Sequence, residues 1–330
     1  MNPARRISKV IAEMSQGYCV VGVGGHARNK LIPALLANDQ QVVGLVSTQS
    51  PGLLPFGPPV FENIDLALLA LPTDTVFIIA TPPALHLQQV RSAVEAGRDV
   101  IVEKPAFVSA DDAREIATTC QVQGTIVVEG LMHRQTALYR RFIEYWVTHR
   151  NRIFALDAVF LIPEMPPGTF RQESLIASSC LYDMGCYVIS LLADLLLPLA
   201  DLRLVHVSNL GQGLEEISIC GLLDGVKISI KIGVAATYQN VIELRTCDGE
   251  TARFLPFFYG RPGERRITVG SHGTIKEEML LEVNAFQAMF MVPRSHWLAD
   301  QAARSSRMIA VATCLEALGH DLLAFRQHQQ

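Results

Sequence analysis

The residues with the clearest chemical potential sit at the ends of short apolar runs. Residues 22–27 read Gly-Val-Gly-Gly-His-Ala, at the end of the run Tyr18–Val23 and at the start of a helical pattern over Ala27–Leu36. This is a GxGxxA turn. Gly22 permits the tight bend, Gly24 lets the backbone approach a pyrophosphate, and Ala27 lets helix and strand pack closely. The helix start adds free N–H groups and a partial positive charge, which suit phosphate. Gly25, His26 and Arg28 complete the same turn. A dinucleotide site usually carries an acid roughly 20 residues further on, where it binds a ribose 2′-hydroxyl. Here that place holds Ser47 and Thr48. No carboxylate stands there to repel a 2′-phosphate, and two hydroxyls are available to bond one. Arg28 and Lys30 lie in the first helical turn, where plain surface charge explains them almost as well. The pattern predicts a dinucleotide cofactor, NADP in preference to NAD.

The elements that must position this turn alternate. Apolar runs at Tyr18–Val23, Gln41–Val46, Thr75–Ala80, Asp99–Val102 and Thr125–Glu129 read as strands. Helical patterns over Ala27–Leu36, Ala84–Ala96 and from Ser109 to about Val122 separate them, with a helix or turn at Ile64–Leu71 and a Pro/Gly-rich loop over Ser47–Pro59. Apolar strands alternating with helices imply a parallel sheet covered on both faces. After about residue 150 the rhythm changes. A strand-like run Ile153–Leu161 and an apolar helix Leu181–Leu197 precede several consecutive strand patterns from Leu202 to Phe258, some separated by Asp224-Gly225 and Asp248-Gly249. Asp-Gly between apolar runs is a hairpin signal, and strands without intervening helices imply an antiparallel sheet. Helical patterns return over Glu277–Met291 and Leu298–Leu318. The expected fold is α/β: an N-terminal Rossmann doubly wound parallel sheet over residues 1–130, then an α+β domain with an open antiparallel sheet over residues 131–330.

Further motifs follow in a fixed order. Ala80–Pro105 reads ATPPALHLQQVRSAVEAGRDVIVEKP, Glu129–Arg134 reads EGLMHR and Leu181–Tyr187 reads LYDMGCY. With the glycine turn, these resemble the Gfo/Idh/MocA oxidoreductase family over most of residues 18–190. The last motif is similar to the branch with dihydrodiol dehydrogenases, glucose–fructose oxidoreductase and sugar 3-ketoreductases, which carries Tyr where many members carry His. The resemblance implies that Lys104 sits beside the nicotinamide and the reacting carbon, and that Glu103 touches the nicotinamide-side ribose. It implies that Thr81, Pro82 and His86 line the cofactor cleft, and that Pro105 follows a cis peptide. Asp183 and Tyr187 then face substrate, His133 and Arg134 shape the substrate cleft, and Arg171 faces substrate too. Two departures bear on the substrate: Ala177-Ser178-Ser179-Cys180 replaces a Gly-rich stretch, and Gln135 replaces an aromatic after Arg134.

The chemistry is coherent in its own right. Hydride delivery to a carbonyl leaves negative charge on oxygen, which a cation stabilises in a dry cleft. A proton donor must then complete the alcohol. A phenol has a reference pKa near ~10, and an ammonium within about 4–6 Å favours its ionised form. Lys104 and Tyr187 therefore make a sensible electrostatic and acid–base pair. Asp183 and Tyr187, four residues apart, share one face of a helix. Bland readings stand beside these: Tyr187 as a core aromatic, Asp183 as a cap or buried hydrogen-bond partner, His86 as a helix start, Arg134 as half of a structural ion pair. The expected activity is hydride transfer between nicotinamide and the carbonyl or hydroxyl carbon of a sugar, polyol or cyclic ketone. A dinucleotide-binding regulator without catalysis and an imine reductase are the alternatives.

Composition narrows the class. A chain of 330 residues with 49% apolar content suits two domains with large cores. A net charge of −4 with scattered Lys and Arg argues against a nucleic-acid partner. The group Arg261, Arg265 and Arg266 reads as a solvated loop. Seven cysteines without a CxxC pair argue against a zinc site or a disulfide framework, and free buried thiols in a reducing cytoplasm are expected. The N-terminus lacks a signal-peptide pattern. The longest apolar stretch, Ile189–Leu199, is broken by Asp194 and Pro198, so no membrane span is expected. A small-molecule substrate, a cytoplasmic location and a homo-oligomer joined through the C-terminal sheet complete the expectations.

Overall fold

The computed structural model describes residues 17–48, 57–163, 179–211, 214–234 and 237–328. They form two compact units. The first contains residues up to Phe107, Asp111–Gly130 and Phe286–Arg304; the second contains Val108–Ala110, Leu131–Ala285 and Ser305–Gln330.

In the first unit, strands β1 (Gly17–Val21), β2 (Gln41–Val46), β3 (Val60–Phe61), β4 (Val76–Ile79), β5 (Val100–Val102) and β6 (Val127–Glu129) form one parallel sheet in the order β3-β2-β1-β4-β5-β6. The order reverses between β1 and β4, and such switch points open the crevice where ligands bind. The middle strands are apolar along their whole length: Val76, Phe77, Ile78 and Ile79 are all buried. A strand covered on both faces has no polar side to alternate with. The covering helices are α1 (Ile32–Leu36, entered through a widened turn at Ala27–Leu31), α2 (Ile64–Ala70), α3 (His86–Glu95) and α4 (Ala110–Gln123). Asn63 caps α2, its side-chain oxygen accepting from the Leu66 amide at 3.0 Å.

The C-terminal part of the chain returns to this unit through Phe286–Arg304. Phe290 packs edge-on against Tyr18 with ring centroids 5.8 Å apart. Asn38 donates to the Gln287 carbonyl at 2.7 Å, and Arg294 pairs with Asp99 at 2.5 Å. The nucleotide-type unit is thus closed by residues far along the chain, and a single cut near residue 130 does not enclose it.

The second unit holds the strands β7 (Ile153–Ile162), β8 (Arg203–Gly211), β9 (Leu214–Leu223), β10 (Val226–Val234), β11 (Gln239–Thr246), β12 (Thr251–Leu255), β13 (Gly263–Ser271) and β14 (Thr274–Glu282), in the order β14-β13-β12-β11-β7-β10-β9-β8. All neighbours are antiparallel except β7 and β10. Strand β10 alternates in burial, with Val226, Ile228, Ile230 and Ile232 inward and Lys227, Ser229 and Lys231 outward. The outward face carries cross-strand ion pairs: Arg245 with Asp157 at 2.5 Å, Arg253 with Glu243 at 2.7 Å, Lys231 with Glu216 at 3.0 Å. Helices α5 (Ala137–His149), α6 (Cys186–Asp194, entered through a widened turn at Leu181–Gly185), α7 (Ala285–Phe290), α8 (Arg294–Ala299) and α9 (Gln301–His328) complete the chain order, with α8 in the first unit and α7 and α9 divided between the two. Helix α9 has the length and hydropathy to cross a membrane. In this fold it buries Val311, Ala312, Leu315, Leu318 and Leu322.

Three expectations need correction. Residues 277–282 are strand, not helix, because Thr274–Glu282 pairs with β13 across the turn His272-Gly273, both of whose residues have positive φ. Such a turn matches the twist of a hairpin, and pairing overrides the helix propensity of Lys-Glu-Glu-Met-Leu-Leu-Glu. Arg265 is not in a solvated loop: it lies in β13, only 2% exposed, and donates to the carbonyls of Tyr259, Arg261, Gly263 and Glu264. Its neighbour Arg266 points the other way and pairs with Glu277 at 3.0 Å. The thiols are not uniformly buried either, since Cys220 and Cys247 are exposed.

Candidate active site

The glycine turn leaves β1 at the switch point. Gly22 has φ +90°, and a Cβ there would lie 2.7–2.9 Å from Thr81 and the Ala80 carbonyl carbon, so only glycine fits. Its amide donates to the Val46 carbonyl at 2.9 Å, tying the turn to the end of β2. Gly24 and Gly25 are exposed, and a Cβ on Gly24 would meet nothing within 4 Å. The backbone there faces open space at the start of the turn that carries Ala27, which is buried. Arg28 turns back, its Nε donating to the Val23 carbonyl at 3.0 Å. At the end of β2, the Ser47 amide donates to the Phe61 carbonyl at 3.0 Å, and Thr48 is exposed.

The ends of β4 and β5 are bound together by one imidazole. His86 is 1% exposed. Its Nε2 lies 2.9 Å from the Thr81 carbonyl oxygen, and its Nδ1 lies 3.0 Å from that of Pro105 and 3.2 Å from that of Ala106. Burial lowers its pKa against the pull of these carbonyls. His86 is therefore a clamp inside the turn, not a surface of the crevice. Thr81 is half-buried and donates to Gln89 at 2.6 Å, while Pro82 is exposed. The clamp fixes the segment Glu103-Lys104-Pro105, whose Lys104–Pro105 peptide is cis. The Ala106 amide donates to Glu129 at 2.9 Å and the Glu103 amide to the Ile79 carbonyl at 2.8 Å. Glu103 and Lys104 are both half-buried. His26, from the glycine turn, reaches Glu103, with Nε2 3.1 Å from Oε1. At one sheet edge, then, lie an open glycine turn, a carboxylate and an ammonium.

In the second unit the motif LYDMGCY forms the widened turn and the start of α6. Asp183 is half-buried; Tyr187 is buried, at 9% exposure. The Tyr187 ring sits among aromatic rings: His133 at 5.3 Å, Phe258 at 5.7 Å and Phe160 at 5.9 Å between centroids. Its hydroxyl lies 3.6 Å from the Met132 sulfur. Phe257 and Phe258 are held by buried Asn240, which accepts from both their amides at 3.0 and 2.8 Å and donates to the Phe258 carbonyl at 3.0 Å.

His133 is fully buried, and neither ring nitrogen has a hydrogen-bond partner. The edges of its ring meet Tyr139 and Phe258 as well as Tyr187. Burial, with the charge of Arg134 second, holds its pKa well below the usual histidine value. Arg134 itself forms a two-pronged pair with Asp194, at 2.8 and 2.9 Å. Tyr139 donates to the same carboxylate at 2.5 Å, and burial pushes the Tyr139 phenol far up. The sequence marked Arg134 but not its partner, since Asp194 is 60 residues away. Arg171 and the pair Ala177-Ser178 lie outside the described residues. Ser179 donates to Glu215 at 2.6 Å and the Cys180 amide to the same oxygen at 3.1 Å, with Arg326 on the other oxygen at 2.5 Å. Those bonds hold the Glu215 carboxyl below its usual pKa in spite of burial.

Residues 17–131 match the family model described as "Oxidoreductase family, NAD-binding Rossmann fold". The chain is 27% identical over 179 residues to D-xylose 1-dehydrogenase (NADP(+)) 2 of Haloferax volcanii, covering 52% of this chain and 55% of that one. It is 28% identical over 247 residues to dTDP-3,4-didehydro-2,6-dideoxy-alpha-D-glucose 3-reductase of Actinomadura kijaniata, covering 70% and 72%. The match thus spans about half the length of the first relative. Among solved structures, a 3-ketoreductase from Actinomadura kijaniata in complex with NADP and TDP-benzene superposes with a TM-score of 0.75 at 19% identity, over 92% of this chain and 97% of that one. That likeness establishes the two-sheet fold.

Proposed function

We propose that this chain, which belongs to the Gfo/Idh/MocA oxidoreductase family, is an NADP-linked reductase or dehydrogenase acting on a sugar, polyol or cyclic ketone. The observation that carries the proposal is the edge of the parallel sheet, where the glycine turn, Glu103 and Lys104 converge and are locked by the His86 clamp. The residues fit a dinucleotide: the space over Gly24 is open, and the turn leads into a helix start, where backbone amides suit phosphate. Gly22, Gly24, Gly25, Ala27 and Arg28 would hold the pyrophosphate, Ser47 and Thr48 the adenosine ribose with its 2′-phosphate, and Thr81, Pro82, Glu103 with His26 beside it, and Lys104 the nicotinamide half. When bound, the dinucleotide supplies or accepts the hydride. Two similar proteins support the choice of NADP: the xylose dehydrogenase is named for NADP(+), and the 3-ketoreductase structure is a complex with NADP.

The chain's own part is electrostatic and protonic. Lys104 holds positive charge against the substrate oxygen as negative charge develops there. Tyr187 delivers the proton that completes an alcohol, or removes it in the reverse direction. Asp183 and Arg171 orient the substrate hydroxyls, and Arg134 holds the frame behind Tyr187 through Asp194. The aromatic setting of Tyr187 keeps competing water away from the phenol. A second copy of the chain covers the outward face of the large sheet, and the enzyme works in the cytoplasm.

The test is a titration followed by turnover. NADPH and NADH are added to the chain while Trp fluorescence is followed, and then a panel of keto-sugars and cyclic ketones is assayed. Saturable NADPH binding with turnover is expected. Lys104→Ala should cut turnover by about 10²-fold or more while leaving NADPH affinity within a few-fold. Unchanged turnover in that variant defeats the mechanism, and saturable binding with no turnover on any panel member points to a regulator.

A further inference from the structure

We infer that His26 is a positioning residue for the cofactor: it fixes the Glu103 carboxylate so that the nicotinamide-side ribose meets an acceptor already in place. The inference rests on the dinucleotide reading above. Topology supplies the direction. The pyrophosphate belongs over the glycine turn at the end of β1, and Ser47 and Thr48 close β2 on one side of it. The other half of a dinucleotide must therefore run across the ends of β4 and β5, where Glu103 stands.

The carboxylate there is fixed on three sides. Its backbone is held by the amide bond from Glu103 to the Ile79 carbonyl. Its head lies beside Gly130, where a Cβ would stand 3.2 Å from Oε1 and 3.4 Å from Cδ and would crowd it. The third restraint is His26, bonded at 3.1 Å to Oε1 from 77 residues away in sequence. His26 is itself braced: its ring meets Phe286 edge-on, with centroids 5.6 Å apart at 66°. A carboxylate has roughly four lone-pair sites. His26 takes one on Oε1, so Oε2 stays available for ribose hydroxyls. The His26 side chain is 44% exposed against 13% for Glu103. A contact that exposed contributes little to stability. Its value lies in removing the rotational freedom that ribose binding would otherwise have to restrict.

The experiment compares two substitutions in the full chain. His26→Phe keeps an aromatic edge on Phe286 and removes the N–H; His26→Gln keeps a side-chain N–H for Glu103. Affinities are measured by fluorescence titration for NADPH and for 2′,5′-ADP, which contains only the adenosine half. His26→Phe should weaken NADPH by about 5–10-fold, as loss of one hydrogen bond does. It should leave 2′,5′-ADP within about twofold, and its Tm should stay near the parent's. His26→Gln should recover most of the NADPH affinity. Parent-like NADPH binding by His26→Phe overturns the inference. So does equal weakening of both ligands, which would indicate a damaged turn, and so does tighter NADPH binding, which would make His26 a bar across Glu103. A parent chain that takes up neither NADPH nor NADH removes the dinucleotide reading itself, and this inference with it.

Discussion

Tyr187 and His133 carry opposite kinds of chemistry from adjacent positions. The phenol of Tyr187 is the proton donor proposed above, while its ring is held by His133, Phe160 and Phe258. Tyr187→Phe keeps that ring, so stability should stay within about 0.5 kcal/mol of the parent. Turnover should fall by roughly 10²–10⁴-fold with a displaced pH profile. A parent-like rate and profile would take Tyr187 out of the reaction. His133 is different, since the folded chain holds the imidazole neutral and the unfolded chain does not. Its folded pKa lies below the unfolded value, so the unfolded state binds the extra proton as pH drops through about 6.5. Stability from this group is therefore present at neutral pH and lost on acidification, by up to about 2 kcal/mol at pH 5. His133→Phe should flatten that part of the Tm-against-pH curve between pH 7 and 5; an unaltered slope would show that the ring is reachable by protons. The sequence made Tyr187 and Arg134 visible because their motifs are local. It could not reveal the aromatic setting of His133, whose partners Phe257 and Phe258 lie more than a hundred residues on.

At the level of elements, the sheet edge and the aromatic wall depend on buried polar clamps. His86 binds the ends of β4 and β5 through three carbonyls, and Asn240 binds the segment after β12 through two amides and a carbonyl. Asn240→Ala takes the side-chain partner from the Phe258 amide and carbonyl and leaves the Phe257 amide only its 3.2 Å bond to the residue-240 carbonyl, which should cost about 3 kcal/mol in urea unfolding. A loss under about 1 kcal/mol would mean that water replaces the amide. The parallel strands were legible because a doubly covered strand is continuously apolar, and Asp224-Gly225 was legible because its two positive φ angles need such residues. Strand β13 was hidden because consecutive arginines read as solvated charge. The backbone of a strand sends such neighbours to opposite faces, so Arg265 goes inward to a cage of carbonyls and Arg266 outward to Glu277. Strand β14 was hidden by its helix-favouring composition, which local propensity alone cannot overrule.

At the scale of the whole molecule, the large sheet has one apolar face and one face of cross-strand ion pairs. The second copy proposed for that outward face makes a direct prediction. Asp157→Lys with Glu243→Lys places four like charges where Arg245 and Arg253 now have partners. Sedimentation should then report a smaller species than the parent at moderate salt, and an unchanged mass would move the interface elsewhere. Net charge and apolar content bounded this architecture at the outset, since 49% apolar residues can fill two cores. They were silent on how the chain divides between them.

The return of Phe286–Arg304 bears on how such proteins can be recombined. A chimera joined at one point after residue 130 would inherit the glycine turn without Phe286 against His26, without Phe290 against Tyr18 and without Arg294 against Asp99. Coenzyme preference is therefore not portable as a leading cassette: a functional graft needs two junctions, the second of which carries this late segment along with the first half it completes.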